Sequence, residues 1–247
     1  MKVTIFSRIV ILANILFISQ CIENFIFYVD WVPTICHGRS CVGTVRNKFI
    51  ISRWRDPNHV PWIDGGCNLD DNHISEELEN IEYTVPGLRR YWPDKNNDEF
   101  FHHNVYMHCG SCQQINGERL SPTRYFEIGI EYYKSIKDRL KLLESYLSTS
   151  QNTLAFSTLE THLRNVFPTE VKVVCAENEN SVKYIHQLVI CFGQNSTLTD
   201  CNEQYTTDSE NVFDNFNLRQ YPEDSTAIRQ PSMCTGSITI PHASTNG

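Results

Sequence analysis

The sequence has no surplus of positive charge, no tandem repeat, no Pro-, Gly- or Ser-rich run, and no block of like charges. Lysine and arginine number 21 against 29 aspartates and glutamates, a net charge of −8 in 247 residues. That balance argues against tight, non-specific binding to a nucleic-acid backbone, and DNA is not an expected partner. A small cationic cleft stays open, because net charge does not set local potential. With no linker and no repeat, residues 22–247 read as one domain. The apolar run Ile9–Ile18 is too short to span a bilayer with ease.

What is present begins with a targeting segment. Lys2 and Arg8 lead into that apolar run, and Ser19 and Cys21 are small enough to precede a cut. This is the layout of a secretory signal peptide over residues 1–21, with an uncleaved anchor as the alternative. The expected location is therefore extracellular or the endolysosomal lumen, with no membrane span once the leader is cut. In such a compartment the ten cysteines read as disulfides. Losing Cys21 leaves nine (10 − 1), an odd number that predicts one unpaired thiol. The sequon Asn195-Ser196-Thr197 marks Asn195 for glycosylation.

Local patterns give an α+β class: a mostly antiparallel sheet with packed helices, held by disulfides. Phe25–Trp31 is aromatic and β-branched and predicts a strand ended by Pro33; Phe49–Ile51 predicts a short one. Residues 56–72 carry Pro57, Pro61, Gly65 and Gly66 and predict a loop. Ser121-Pro122 opens a helix in which Phe126, Ile130, Tyr133, Ile136, Leu140, Leu143 and Leu147 recur every three or four residues. A second helix is predicted over Leu154–Val166, and strands over Val171–Val174 and Tyr184–Phe192. The tail after Asn202 reads as polar and irregular, tied down by Cys234.

The richest segment runs from His102 to Cys112, with three histidines and two cysteines in eleven residues. Imidazole suits proton transfer near neutrality. The types also fit a zinc site of His103, His108, Cys109 and Cys112, though at no compact zinc spacing. Cys109-Gly110-Ser111-Cys112 is also a Cys-x-x-Cys, without the surrounding βαβ pattern of a thiol exchanger.

Four stretches together resemble the T2 family of secreted ribonucleases. Phe27-Tyr28-Val29-Asp30-Trp31-Val32-Pro33-Thr34-Ile35-Cys36 is similar to that family's first strand, and Tyr91-Trp92-Pro93-Asp94 to its Tyr-Trp-Pro segment. Gln187-Leu188-Val189-Ile190-Cys191 with Asp200-Cys201 is similar to its late strand. The resemblance implies a ribonuclease T2-like fold and the bridges Cys36–Cys41, Cys67–Cys112, Cys175–Cys234 and Cys191–Cys201. Cys109 is then the free thiol.

It also implies metal- and cofactor-free cleavage of RNA through a 2′,3′-cyclic phosphate. One histidine takes the 2′-hydroxyl proton, another protonates the leaving oxygen, and a Glu and a Lys stabilise the phosphorane. The fourth stretch is the His-rich segment itself, beside the family's His-Glu-Trp-x-Lys-His-Gly-Thr-Cys. An ungapped alignment puts Asn104 and Cys109 at the histidines. One inserted residue, Cys109, instead puts His103 and His108 there and places Phe100-Phe101 on the preceding aromatic pair. This gapped reading is preferred. Asn104 then replaces the Glu, Val105 the Trp and Met107 the Lys.

The family's first motif, Phe-Thr-Ile-His-Gly-Leu-Trp-Pro, meets Phe49-Ile50-Ile51-Ser52-Arg53-Trp54-Arg55-Asp56. Ser52, or Ile51 if Trp54 is aligned without a gap, stands at the lost histidine. The first expectation is a secreted T2-like scaffold, a possible pseudoenzyme, with weak or absent activity and with RNA or an extracellular protein as partner. The second is an active endoribonuclease rebuilt with His59 or His37, Arg53 and Arg55 holding phosphate. The third is a binding or redox module using Cys109. Trp54, Arg53 and Arg55 are the candidate substrate contacts. Trp31, Trp62 and Trp92 are the remaining candidates for base stacking, with core or cleft wall as the plainer role.

Overall fold

The computed structural model describes residues 25–37, 41, 46–57, 72–94, 101–115, 117–178, 180–193, 196–201 and 229–243. In chain order the elements are β1 (Phe25–Trp31), α1 (Val32–Ile35), β2 (Phe49–Arg55), α2 (Asn72–Glu79), α3 (Ile81–Thr84), α4 (Leu88–Tyr91) and α5 (Phe101–Val105). A π-helical turn, Tyr106–Gly110, follows α5 directly. Then come β3 (Gln114–Ile115), β4 (Glu118–Arg119), α6 (Pro122–Thr149), β5 (Thr153–Ala155), α7 (Phe156–Val166), β6 (Lys172–Glu177), β7 (Lys183–Phe192), β8 (Leu198–Thr199), β9 (Arg229–Met233) and β10 (Ser237–Thr239).

The main sheet has eight strands, with β1 between β2 and β7. β7 also pairs with β6, β8 and β10, and its contact with β10 is the one parallel pairing among the described strands. The α+β class, mostly antiparallel, is what the sequence predicts. The tail does more than expected: β9 pairs with β6, and β10 with β5. Its alternation is too short to stand out in a polar stretch. Residues 202–228 lie outside the described residues.

Alternation along β1 decides the layers. Phe25, Phe27, Val29 and Trp31 face the main core, with Leu188, Ile190 and Phe192 of β7. Ile26 and Tyr28 face a second, smaller cluster with Val174, Val189 and Cys191. α6 covers the main core with Tyr125, Phe126, Ile130, Tyr133, Ile136, Leu140, Leu143 and Leu147. Its start is capped as predicted: Ser121 Oγ accepts the Arg124 N–H at 3.3 Å, and Pro122 sits in the first turn. Helix α7 begins at Phe156, two residues later than predicted, because Thr153–Ala155 pairs with β10 instead. No described helix is long and apolar enough to cross a membrane.

Three described bridges staple this frame: Cys36–Cys41, Cys175–Cys234 and Cys191–Cys201. They are three of the four pairs that the family resemblance implies; Cys67, of the fourth, lies outside the described residues. Cys175–Cys234 ties β6 to the segment just after β9, closing 59 residues of chain. A loop of that length would contribute roughly 4 kcal/mol in the chain-entropy account.

Candidate active site

Two sequence-remote pieces build the candidate site: strand β2, and the α5–π segment that packs against it. In the π turn the Ser111 N–H donates to the Tyr106 carbonyl at 2.7 Å, one residue further back than in an α-helix. A wide turn of this kind is how a helix absorbs one extra residue. The gapped alignment inserts its extra residue, Cys109, in this same turn.

Burial divides the segment into two faces. His102, Val105, Tyr106 and Cys109 are buried, whereas His103, Asn104, Met107 and His108 are only half-buried. The wide turn sends Cys109 inward. His103, Asn104, Met107 and His108 therefore share the more open face. Gly110 ends the turn where nothing larger fits. A Cβ there would lie 2.5 Å from the Tyr106 ring and 2.9 Å from the Tyr125 ring.

Cys112 is disulfide-bonded; its expected partner, Cys67, lies outside the described residues. A bridged Cys112 offers no thiolate. That overturns both the four-ligand zinc reading and a Cys109/Cys112 dithiol. Among the described residues no group of three His, Cys, Asp or Glu is placed to hold a metal. Cys109 is the free cysteine among the described residues. Burial pushes its thiol pKa up, against the opposing pull of Arg53 and Arg55. A thiol that is both buried and protonated reacts slowly. Iodoacetamide is therefore expected to label Cys109 in denaturant and to leave it unmodified in the native protein; mass mapping checks this.

Strand β2 is longer than predicted and buried throughout. Ser52 sits in a β-bulge: Tyr28 pairs with Arg53 and Val29 with Ile51, leaving Ser52 as the extra residue. Its carbonyl accepts the Trp92 indole N–H at 2.9 Å. Trp54 is fully buried, its ring stacked on Tyr125 at 4.8 Å and its Nε1–H donating to the Tyr125 carbonyl at 3.0 Å. Arg53 and Arg55 are each 1% exposed. The Arg53 guanidinium lies 4.2 Å from the Tyr28 ring centre, and Arg55 Nε donates to the Tyr28 hydroxyl at 3.4 Å.

These placements correct the expectation of direct substrate contact through Trp54, Arg53 and Arg55. All three side chains point into packed layers of the sheet, so none presents surface to a ligand. Trp31 and Trp92 are likewise core residues with no measurable exposure. Trp62 lies outside the described residues.

His37 packs on the Tyr184 ring at 4.9 Å. It follows α1, at the end of the sheet where β2 begins, whereas Gln113, just past the π turn, accepts the Asp56 N–H beyond the other end of β2. His59 and Asn195 lie outside the described residues.

Sequence reading missed His102. Its Nε2 lies 2.8 Å from the Trp92 carbonyl, and its Nδ1 lies 3.4 Å from Glu82. A carbonyl only accepts, so Nε2 carries the proton. The available signal was helical spacing, which puts His102 on the same inner face as Val105, Tyr106 and Cys109. Burial lowers its pKa below the ordinary 6.5, against opposing pulls from the Trp92 carbonyl and Glu82.

The sign of the pH effect follows. With a depressed folded pKa, the unfolded chain binds the proton more readily. This contribution to stability is full above about pH 6.5 and is lost as pH falls through the folded value. Urea midpoints are expected to fall on acidification through this window, and His102→Gln to flatten that slope.

The sequence profile described as the Ribonuclease T2 family matches residues 22–201. Human ribonuclease T2 is 25% identical, with 73% of this chain and 71% of that protein covered. The crystal structure of human RNase T2 superposes with a TM-score of 0.56 at 19% identity, covering 90% of this chain and 99% of that one. RNase MC1 from bitter gourd seeds gives 0.54 at 20% identity, over 72% of this chain and 94% of that one. A mutant of RNase MC1 in complex with 5′-UMP gives 0.56 at 19% identity, over 72% and 92% of the two chains. At these identities the solved structures speak to the fold. The profile match spans well over half of the sequence, and the chain belongs to the ribonuclease T2 family.

Proposed function

We propose that this protein is a secreted RNA-binding scaffold of the T2 fold whose endoribonuclease activity is weak or absent. One observation carries the reading. The open face of the α5–π segment presents His103, Asn104, Met107 and His108 together. Those are the family's His, Glu, Lys and His positions, and only the two imidazoles remain. Met107 supplies no cation for a developing phosphorane, and Asn104 no carboxylate. Ser52 stands in place of the partner histidine. RNA is the partner class because that open face retains imidazoles suited to phosphate, and because a mutant of a similar protein, RNase MC1, is in complex with a nucleotide, 5′-UMP.

The reading extends to the ends of the chain. Residues 1–21 act as the signal peptide, residues 22–247 form one T2-like domain, Asn195 carries a glycan, and the protein works outside the cytosol. The deciding experiment pairs binding with cleavage. A labelled RNA oligonucleotide should be retained by the purified protein, more weakly at higher salt, and recovered intact. His103→Ala with His108→Ala should abolish retention. No retention by the unaltered protein would remove the RNA-binding reading. Efficient release of cyclic-phosphate ends would replace it with the rebuilt-enzyme reading.

A further inference from the structure

The geometry points to Gln113 as a positioning residue that locks the histidine-bearing helix to strand β2. This rests on the reading above only in taking the open face of His103 and His108 as the place where RNA lies.

Gln113 is 4% exposed. Its Nε2 donates to the Cys109 carbonyl at 2.9 Å, within the π turn. Its Oε1 accepts the Asp56 N–H at 2.9 Å, immediately after β2 ends. A carbonyl only accepts and a backbone N–H only donates, so the orientation of this amide is fixed by both partners. One side chain thus joins two elements 57 residues apart in sequence.

The backbone of Gln113 is itself held. Its N–H donates to the Gly110 carbonyl at 2.9 Å, and its carbonyl accepts the Leu120 N–H at 2.9 Å. The amide therefore projects from a fixed base beside the β3–β4 hairpin. The need arises from the π turn. Carbonyls at a helix end lack intrahelical partners. Ser111 Oγ takes the Met107 carbonyl at 2.7 Å, the Gln113 N–H takes Gly110, and the Gln113 side chain takes Cys109. Satisfying that last carbonyl from a side chain that also grips Asp56 sets where the open face of His103 and His108 stands relative to the end of β2. A misplacement of about 1 Å between such groups matters for binding and chemistry.

Two variants separate positioning from plain support. Gln113→Leu removes both hydrogen bonds at similar volume. Gln113→Glu keeps the acceptor but turns a carboxylate toward the Cys109 carbonyl, and it regains a donor only when protonated. Imidazole proton resonances and the affinity for uridine 5′-monophosphate are the readouts.

In Gln113→Leu, the His103 and His108 resonances should move while that of distant His37 stays in place, and affinity should fall about tenfold. In Gln113→Glu, the displaced resonances should return toward those of the unaltered protein as pH falls from about 7 to about 4.5, each compared at the same pH. Unchanged imidazole signals and affinity in Gln113→Leu, with only a lower melting temperature, would overturn the proposal. If Gln113→Leu does not fold, Gln113→Glu decides alone, and signals unperturbed at neutral pH would overturn it. An unaltered protein with no affinity for the nucleotide removes the RNA reading, and the imidazole signals still judge Gln113.

Discussion

RNA incubated with the purified protein at roughly pH 4–8 is expected to be cleaved at least about 10²–10⁴-fold more slowly than by a family member with both motif histidines. The reaction needs a base on the 2′-hydroxyl and an acid on the leaving 5′-oxygen. His103 and His108 stand on one open face of one segment. By the family alignment the partner histidine's position falls on Ser52, or on Ile51, and neither side chain moves protons near neutrality. Loss of the cation at Met107 costs a further roughly 10²–10³-fold where such a group faces developing charge. These factors do not simply multiply, because groups that act as a unit fail together.

Any residual cleavage should leave 2′,3′-cyclic phosphate ends and should vanish in His108→Ala. Residual activity indifferent to His108→Ala would point to a contaminating nuclease. A rate within tenfold of an intact relative would mean that other groups have rebuilt the site. His37 is a poor candidate for that role, since it packs on Tyr184 at the far end of β2.

Trp92→Ala is expected to be the most damaging single core substitution near the site, at about 3–5 kcal/mol. Trp92 has no measurable exposure and packs edge-on against Phe126 at 4.9 Å. Gly129 of α6 makes room for it: a Cβ there would lie 2.7 Å from the Trp92 ring and 3.0 Å from that of Trp54. The indole N–H donates to Ser52 in the bulge, and the backbone carbonyl meets His102 at the start of the histidine segment.

Removing the ring therefore opens a cavity and releases the Ser52 carbonyl, while the backbone contact to His102 is kept. Trp92→Phe separates these effects. It keeps most of the volume, leaves the Ser52 carbonyl without its indole donor, and should cost about 1–3 kcal/mol. Denaturant titration at unchanged m-value measures both. A cost for Trp92→Ala within about 1 kcal/mol of zero would show that the surrounding layers collapse onto the gap.

Much of this molecule follows from local sequence. Strand β1, strand β7 and helix α6 are legible because their periods of two and of three to four residues are written into consecutive side chains. The cap at Ser121 is a contact within one turn. The candidate site was legible as an alignment: His103, Asn104, Met107 and His108 fall on the family motif once Cys109 is taken as an inserted residue.

What spacing could not decide was which way each side chain faces. Arg53 and Arg55 look solvent-exposed in sequence and are buried, because β2 lies under other layers. Ser52 stands in a bulge only because β1 pairs out of step there. Cys109 turns inward because Tyr106 and Ser111 close a wide turn around it. Gln113 and His102 gain their roles from Asp56, Trp92 and Glu82, none of them neighbours in the chain. Residue types and their periods are properties of the sequence itself. Burial, register and long-range hydrogen-bond partners come into being only when distant segments pack, and for this protein they decide what remains of the site.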